Sequence, residues 1–274
     1  MFPRRIFSIG LLGLCAIVAL VSCRASVPRP LPSQEVLKRS IVANATNSKS
    51  SFTARITANA GETLSGTLVA NGVLTGGGQW LMADSSFVIE RSSPEAHQNM
   101  VGTAEFVYSA GDSPRIRFNS LSGMLADSWS RSVPLPLTGT WWRLPGATGS
   151  VLRTGAPDPE AVDQIVATLG DVNDLGIERE GNGEYLYHYE VDVSETPVDS
   201  SGFKGSLWID AKSFILKRAI WHPAGIKTSL GDVTAVIDVE FGEAPDKIPQ
   251  PAQTQGQPPI LPLDSIFAII SQNR

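Results

Sequence analysis

The sequence predicts an α+β fold that is mostly antiparallel β, and three observations predict it. Between residues 51 and 119, five strand-like stretches follow one another with glycine or asparagine punctuation. Between 185 and 192, Tyr185, Tyr187, Tyr189 and Val191 alternate with Leu186, His188, Glu190 and Asp192, a period of two that buries one face and leaves the other mostly wet. Two segments, 33–46 and 158–169, carry their apolar side chains at helical spacing instead.

The chain opens on an export signal. Arg4 and Arg5 precede an apolar run without charge from Ile6 to Val21, the pattern of a basic n-region and an h-region. That run is shorter than the ~20 residues a helix needs to cross the hydrocarbon core of a bilayer. Leu20-Val21-Ser22-Cys23 follows it and resembles the bacterial lipobox, in which an apolar residue, a tolerant position and a small residue precede the cysteine. The resemblance implies a signal peptide over 1–22, cleavage before Cys23, a thioether to diacylglycerol on Cys23 and often a third acyl chain on the new N-terminus. Two or more chains anchor stably where one binds only marginally. The protein is therefore expected in the cell envelope, lipid-anchored on the extracytoplasmic face of a membrane. Cleavage also removes Cys15, the other of the two cysteines, so the mature domain relies on packing rather than a disulfide. It takes two of the 22 basic residues and none of the 27 acidic ones, moving the net charge from −5 to −7. An acidic balance without a basic stripe argues against a nucleic-acid partner.

Residues 23–32 form a proline-bearing tether. A helix over 33–46 follows, with Ser33 placed to cap it, Glu35 in the first turn and Val36, Leu37, Ile41 and Ala45 as its apolar stripe. Strands are expected at 51–60, 63–75, 78–91, 100–109 and 114–119. From Leu121 to Gly139 the pattern is irregular. Pro134-Leu135-Pro136-Leu137 within it is too apolar for a surface loop and too proline-rich for a central strand, so it should pack against apolar surface. Trp141-Trp142-Arg143-Leu144 resumes the sheet. A second helix has Asp158 as cap, Pro159 at its first position and Glu160 at the positive end of the dipole, with Val162, Ile165, Val166 and Leu169 at i, i+3, i+4 and i+7.

The C-terminal half reads as further hairpins, with strands at Tyr185–Asp192, Phe203–Asp210, Phe214–Trp221 and Val233–Phe241. These close a domain spanning 33–242. Proline and glutamine then dominate 243–262, an extended linker rather than a core element. In 263–274, Leu263, Ile266, Phe267 and Ile270 recur at helical spacing. That helix is too short to span a bilayer and needs a groove to lie in.

Several of these segments share the character of one family. Gln34-Glu35-Val36-Leu37 leads into long meandering strands; Thr140-Trp141-Trp142-Arg143-Leu144 carries an aromatic pair. Leu207-Trp208-Ile209-Asp210 is followed by Leu216-Lys217-Arg218, and Val236-Ile237-Asp238-Val239-Glu240-Phe241-Gly242 closes the domain. Together they resemble the LolA/LolB-like lipoproteins, more closely the LppX/LprG type, over most of residues 33 to 250. The resemblance implies a curved antiparallel half-barrel, helices covering its concave face, and an apolar cavity for the acyl chains of lipids or lipoproteins. Amphipathic helices 33–46 and 158–169 are the expected covers. The candidate lining residues are Val162, Ile165, Val166 and Leu169 on the helix and Tyr187, Tyr189, Leu207, Ile237 and Val239 on the sheet.

No motif of a hydrolase, zinc protease, P-loop or dinucleotide-binding enzyme is present, and Gly76-Gly77-Gly78 lacks the lysine and helix start that would cradle phosphate. His97, His188 and His222 stand far apart without ligand spacing. The expectation is a carrier or binding protein with no catalytic residues, metal or cofactor. The alternative is an envelope sensor or scaffold whose partner is a protein. His188, Glu190 and Asp192 share a strand face, a pattern that solvated polar alternation explains.

Overall fold

The computed structural model describes residues 28–75, 80–92, 96–109, 112–144, 158–193, 203–223, 225–228, 231–247 and 257–271. Cys23 and the signal segment lie outside them. The compact unit begins at Leu31.

It opens with helix α1 (Ser33–Thr46), whose N-cap is Pro32. Ser33 is therefore the first helical residue rather than the cap, and the first free amides are met by the Pro32 carbonyl, which accepts from Glu35 N at 2.9 Å and Val36 N at 3.1 Å. Strands β1 (Lys49–Ala60), β2 (Leu64–Thr75), β3 (Trp80–Ser92), β4 (His97–Ser109) and β5 (Arg115–Ser122) form an antiparallel meander. Helix α2 (Met124–Ser132) and the short edge strand β6 (Trp141–Arg143) complete this half. The second half begins with helix α3 (Pro159–Thr168), capped by Asp158 accepting from Glu160 N. Strands β7 (Asp171–Arg179), β8 (Tyr185–Val193), β9 (Phe203–Asp210), β10 (Leu216–Pro223), β11 (Ile226–Thr228) and β12 (Gly231–Gly242) follow, and helix α4 (Leu263–Ser271) comes last.

All these strands belong to one sheet in the order β6-β5-β4-β3-β2-β1-β12-β10-β9-β8-β7, with β11 also on β12. The two halves meet where β1 pairs antiparallel with β12, from Ser51 opposite Gly242 to Ala60 opposite Val233. The sheet does not close: β6 and β7 are its two ends, giving the open, curved half-barrel of the α+β class that the sequence predicts.

Strand register divides the side chains between two faces. On the inner face, Met100, Ala104, Phe118, Leu125, Trp129, Leu137 and Trp142 are buried together with Leu261 and Ile266 beneath α2 and α4. At the opposite flank Val36, Leu37, Val166, Tyr187, Tyr189 and Ile209 are buried together beneath α1 and α3. Covering is thus shared by four helices, two per flank, rather than by 33–46 and 158–169 alone.

Three further differences have local causes. α2 falls in the stretch read as irregular: its Leu125 and Trp129 are spaced i, i+4 and buried, but three serines in Met124–Ser132 give it weak helical character. β7 was not expected, because a bulge between Asp174 and Gly176 breaks its period of two. The linker drawn at 243–262 includes, at its far end, a piece of the fold. Arg143 N donates to Pro259 O at 2.8 Å, Leu261 N donates to Arg143 O at 2.8 Å, and Leu261 is buried. Leu137 is buried as the Pro-Leu-Pro-Leu pattern requires, its carbonyl accepting from Trp142 Nε1 at 3.1 Å, whereas Leu135 is exposed.

Candidate functional site

Pairing across the inner face aligns three rows of side chains. The middle row runs Tyr189–Leu207–Ala219–Val239–Ala54–Ala70–Ser85–Ala104–Phe118, each residue opposite the next on the adjacent strand. Its centre is small and its ends are aromatic. On one side stand Trp221, Ile237, Ile56, Leu68, Phe87 and Gly102; on the other, Phe241, Phe52, Gly72, Ala83, Phe106 and Ile116. At neighbouring-strand spacings of ~4.8 Å the six positions from Ala219 to Ala104 span roughly 24 Å.

Three aromatic rings in these rows are opposite glycines: Phe52 faces Gly72, Phe87 faces Gly102 and Trp221 faces Gly205. A Cβ at Gly72 would lie 2.7 Å from the Phe52 ring, one at Gly102 2.6 Å from the Phe87 ring, and one at Gly205 3.2 Å from Trp221 Cδ1. The rings therefore lie over their glycines and fill the space a side chain would take there.

The centre differs from the flanks in its cover. Ala54, Ala70 and Ala83 are buried against Phe52, Leu68, Leu81, Phe106 and Val239, all from β1–β4 and β12. Among the described residues no helical residue belongs to that cluster, and Ile56, Leu68, Ile237 and Val239 remain partly exposed. An apolar strip in contact with solvent loses the stabilisation of ~25 cal/mol per Å² that burial would give it.

Of the nine sequence-predicted lining residues, seven fall in two places. Val166, Leu169, Tyr187, Tyr189 and Leu207 come together in the flank under α1 and α3. Val162 is buried on the same helix, while Ile165 is 44% exposed, turned out of the stripe that spacing assigned it. Val239 joins the central cluster, and Ile237 lies beside it on the seam, opposite Ile56. Sequence reasoning did not single out Ile56, Leu68, Phe52 and Phe87. Their alternation within β1–β3 was the available signal, but which strands lie centrally follows only from the β1–β12 pairing.

Within the helix-covered flank, Tyr187 stacks on Tyr189 at 6.3 Å and on Phe214 at 6.4 Å, and the Arg39 guanidinium sits 5.0 Å over Phe214. Phe214 adopts φ +60°, the left-handed region that a bulky residue enters only with strain. Burial raises the pKa of both Tyr187 and Tyr189, and Asp174 and Tyr187 push Tyr189 further up.

The outer face is organised differently. His188, Trp208, Arg218 and Glu240 form one cross-strand row. His188 stacks on Trp208 at 4.3 Å and its Nδ1 lies 2.6 Å from Glu178 Oε1, while the Arg218 guanidinium sits 5.3 Å over the Trp208 ring. Arg218 also donates two hydrogen bonds to Asp238, at 3.0 and 2.7 Å, which hold the Asp238 carboxyl below the usual carboxylate range. Glu190 accepts from Asn173 and Asp192 pairs with Lys204. His188, Glu190 and Asp192 thus each engage a neighbouring strand rather than one another. Among the described residues no group of three or more His, Cys, Asp or Glu side chains is placed to hold a metal, and no helix is long and apolar enough to cross a membrane.

No known protein family matches the sequence, and no curated protein matches it. Among solved structures, the chain is similar to the LolA superfamily protein NE2245 from Nitrosomonas europaea, at 13% identity over 78% of this chain and 93% of that one, with a TM-score of 0.24. It is also similar to a DUF1329 family protein from Desulfovibrio piger ATCC 29098, at 11% identity over 78% of this chain and 92% of that one, with a TM-score of 0.26.

Proposed function

We propose that this chain is a lipid-anchored envelope protein of the LppX/LprG type that binds or carries a hydrophobic, acyl-chain ligand without catalysing a reaction. One observation carries the reading: the apolar centre of the inner face, where Ala54 and Ala70 of the small row from Ala219 to Ala104 are flanked by partly exposed Ile56, Leu68 and Ile237 and, among the described residues, no helical residue belongs to their cluster. An extended chain of ~18 carbons matches that row in length, and each methylene it buries contributes ~0.8 kcal/mol. Polar recognition plays a small part, since the paired inner-face positions of β1–β5, β8, β9 and β12 carry a single charge, Arg91, at the end of β3. Acylated Cys23 would keep the domain beside the membrane that supplies or receives the ligand.

The test is native mass spectrometry of the full mature protein beside organic extraction of the same sample. A reproducible mass increment matching an extracted fatty acid, phospholipid or glycolipid supports the reading. A bare mass, unchanged when such lipids are added, overturns it. Anchoring is tested separately: Cys23→Ser should move the protein from the membrane fraction to the soluble one and abolish labelling by radioactive palmitate.

A further inference from the structure

The last helix sits on the same floor as the central apolar strip. In the middle row, Ala54, Ala70, Ser85 and Ala104 lead directly to Phe118, and Phe118 is buried with Met100, Leu125, Trp129 and Trp142 around Leu261 and Ile266. Leu263 and Ile269 pack against the same group. The flank occupied by α4 and the open centre are therefore two stretches of one apolar surface.

Residues 257–271 are held there by a few polar contacts and by apolar packing among the described residues. Two backbone hydrogen bonds join Pro259 and Leu261 to Arg143 on the edge strand β6, and Trp129 Nε1 donates to Ser265 Oγ at 2.9 Å. Leu261, Leu263, Ile266 and Ile269 add apolar contact. A nine-residue helix is too short to persist alone in water, so α4 is helical because it is seated. The sequence joining it to β12 is rich in proline and glutamine, and covalent attachment through a linker of that length returns a released segment at an effective concentration on the order of millimolar. The segment is thus built to re-dock unless something else fills its place.

The seat itself states what could fill it. Phe118, Trp129 and Trp142 make it aromatic and apolar, and Ser265 of the segment is the acceptor for the Trp129 indole. An occupant replacing the segment must supply apolar length and one acceptor for that N–H, because a buried donor left without an acceptor is destabilising. A fatty acyl group with its ester or carboxyl oxygen meets both demands; a plain hydrocarbon meets only the first.

We infer that the groove between α2 and the floor of β4–β6 is an acyl-binding site, and that residues 257–271 are its resident occupant, exchanging with ligand. The inference rests on the carrier reading given above. Its test uses the full mature chain with a site-specific protease sequence placed within 248–256, so that the protein folds intact and is cut afterwards. Cut and uncut protein are titrated with cis-parinaric acid, and the cut protein with a fluorescein-labelled peptide of residues 257–271.

Cutting should tighten parinaric acid binding about tenfold, and the acid should displace the labelled peptide. In the uncut chain, Ile266→Asp should reproduce the effect of cutting, while Leu175→Asp, an exposed substitution on the far edge strand, should not. The cut protein serves as the readout if Ile266→Asp does not fold. Parinaric acid binding with unchanged affinity and no displacement of the peptide overturns the shared seat and leaves the carrier reading standing. Absence of parinaric acid binding to cut and uncut protein alike overturns both.

Discussion

Tyr189 is fully buried, yet among the described residues its hydroxyl has no hydrogen-bond partner. An orphaned hydroxyl costs ~1–3 kcal/mol, so Tyr189→Phe is expected to stabilise the ligand-free protein, raising the thermal midpoint by ~2–4 °C for each kcal/mol recovered. Its titration adds a second signature. The folded-state pKa is raised, chiefly by burial, so the folded protein holds this proton more tightly than the unfolded chain does. The associated stability is complete below the unfolded tyrosine value near 10 and declines as pH rises through it. Tyr189→Phe should flatten that alkaline decline; a lowered midpoint at pH 7 would show that the hydroxyl has a native partner. The glycines beneath the aromatic rings offer a second contrast. Gly102→Ala would set a methyl 2.6 Å from Phe87 and 2.7 Å from the Ser120 carbonyl oxygen, whereas Gly66→Ala would meet nothing closer than 3.7 Å. Chemical denaturation should show Gly102→Ala losing about 1–3 kcal/mol, as overpacked sites do, and Gly66→Ala staying near wild type.

At the scale of elements, legibility followed periodicity. β8 was readable because Tyr185, Tyr187, Tyr189 and Val191 alternate without interruption, and α3 because its cap, its first-position proline and its stripe agree. β7 was hidden by its bulge and α2 by its serines. The burial of Leu186, on the face expected to be wet, follows from tertiary packing that alternation alone does not encode. The outer-face ladder was equally out of reach, since Arg218, Asp238 and Trp208 meet only once β9, β10 and β12 are aligned. That ladder carries its own prediction. Asp238 has a depressed folded-state pKa, caused first by the hydrogen bonds from Arg218, so the unfolded chain binds its proton more readily. The contribution is present above the ordinary aspartate value near 4 and is lost as pH falls below it. Both side chains are partly exposed, which keeps the effect to about 1 kcal/mol or less. Asp238→Asn should be less stable than wild type at pH 7 and indistinguishable from it near pH 2.5. A constant difference across that range would assign the loss to packing.

For the whole molecule, the controlling feature is the seam between β1 and β12. The predicted site residues Ile237 and Val239 became neighbours of Ile56 and Ala54 only through that pairing, which joins opposite ends of the domain and has no local sequence signal. Each half presents an apolar face, and the seam makes one floor of the two. Pairings so distant in sequence are closed late and at high entropic cost, but once formed they couple the halves into a single cooperative unit. Ile237→Ala tests this coupling, because the side chain is half-buried directly opposite Ile56 and its truncation should cost about 2 kcal/mol. In native-state hydrogen exchange, the slowest amides of β3–β4 and of β8–β9 should open with the same free energy in wild type and fall together by the same amount in the variant. A fall confined to β9–β12 would mean that the meanders open independently, and a ligand lying across the seam would then be held by two separately fluctuating halves.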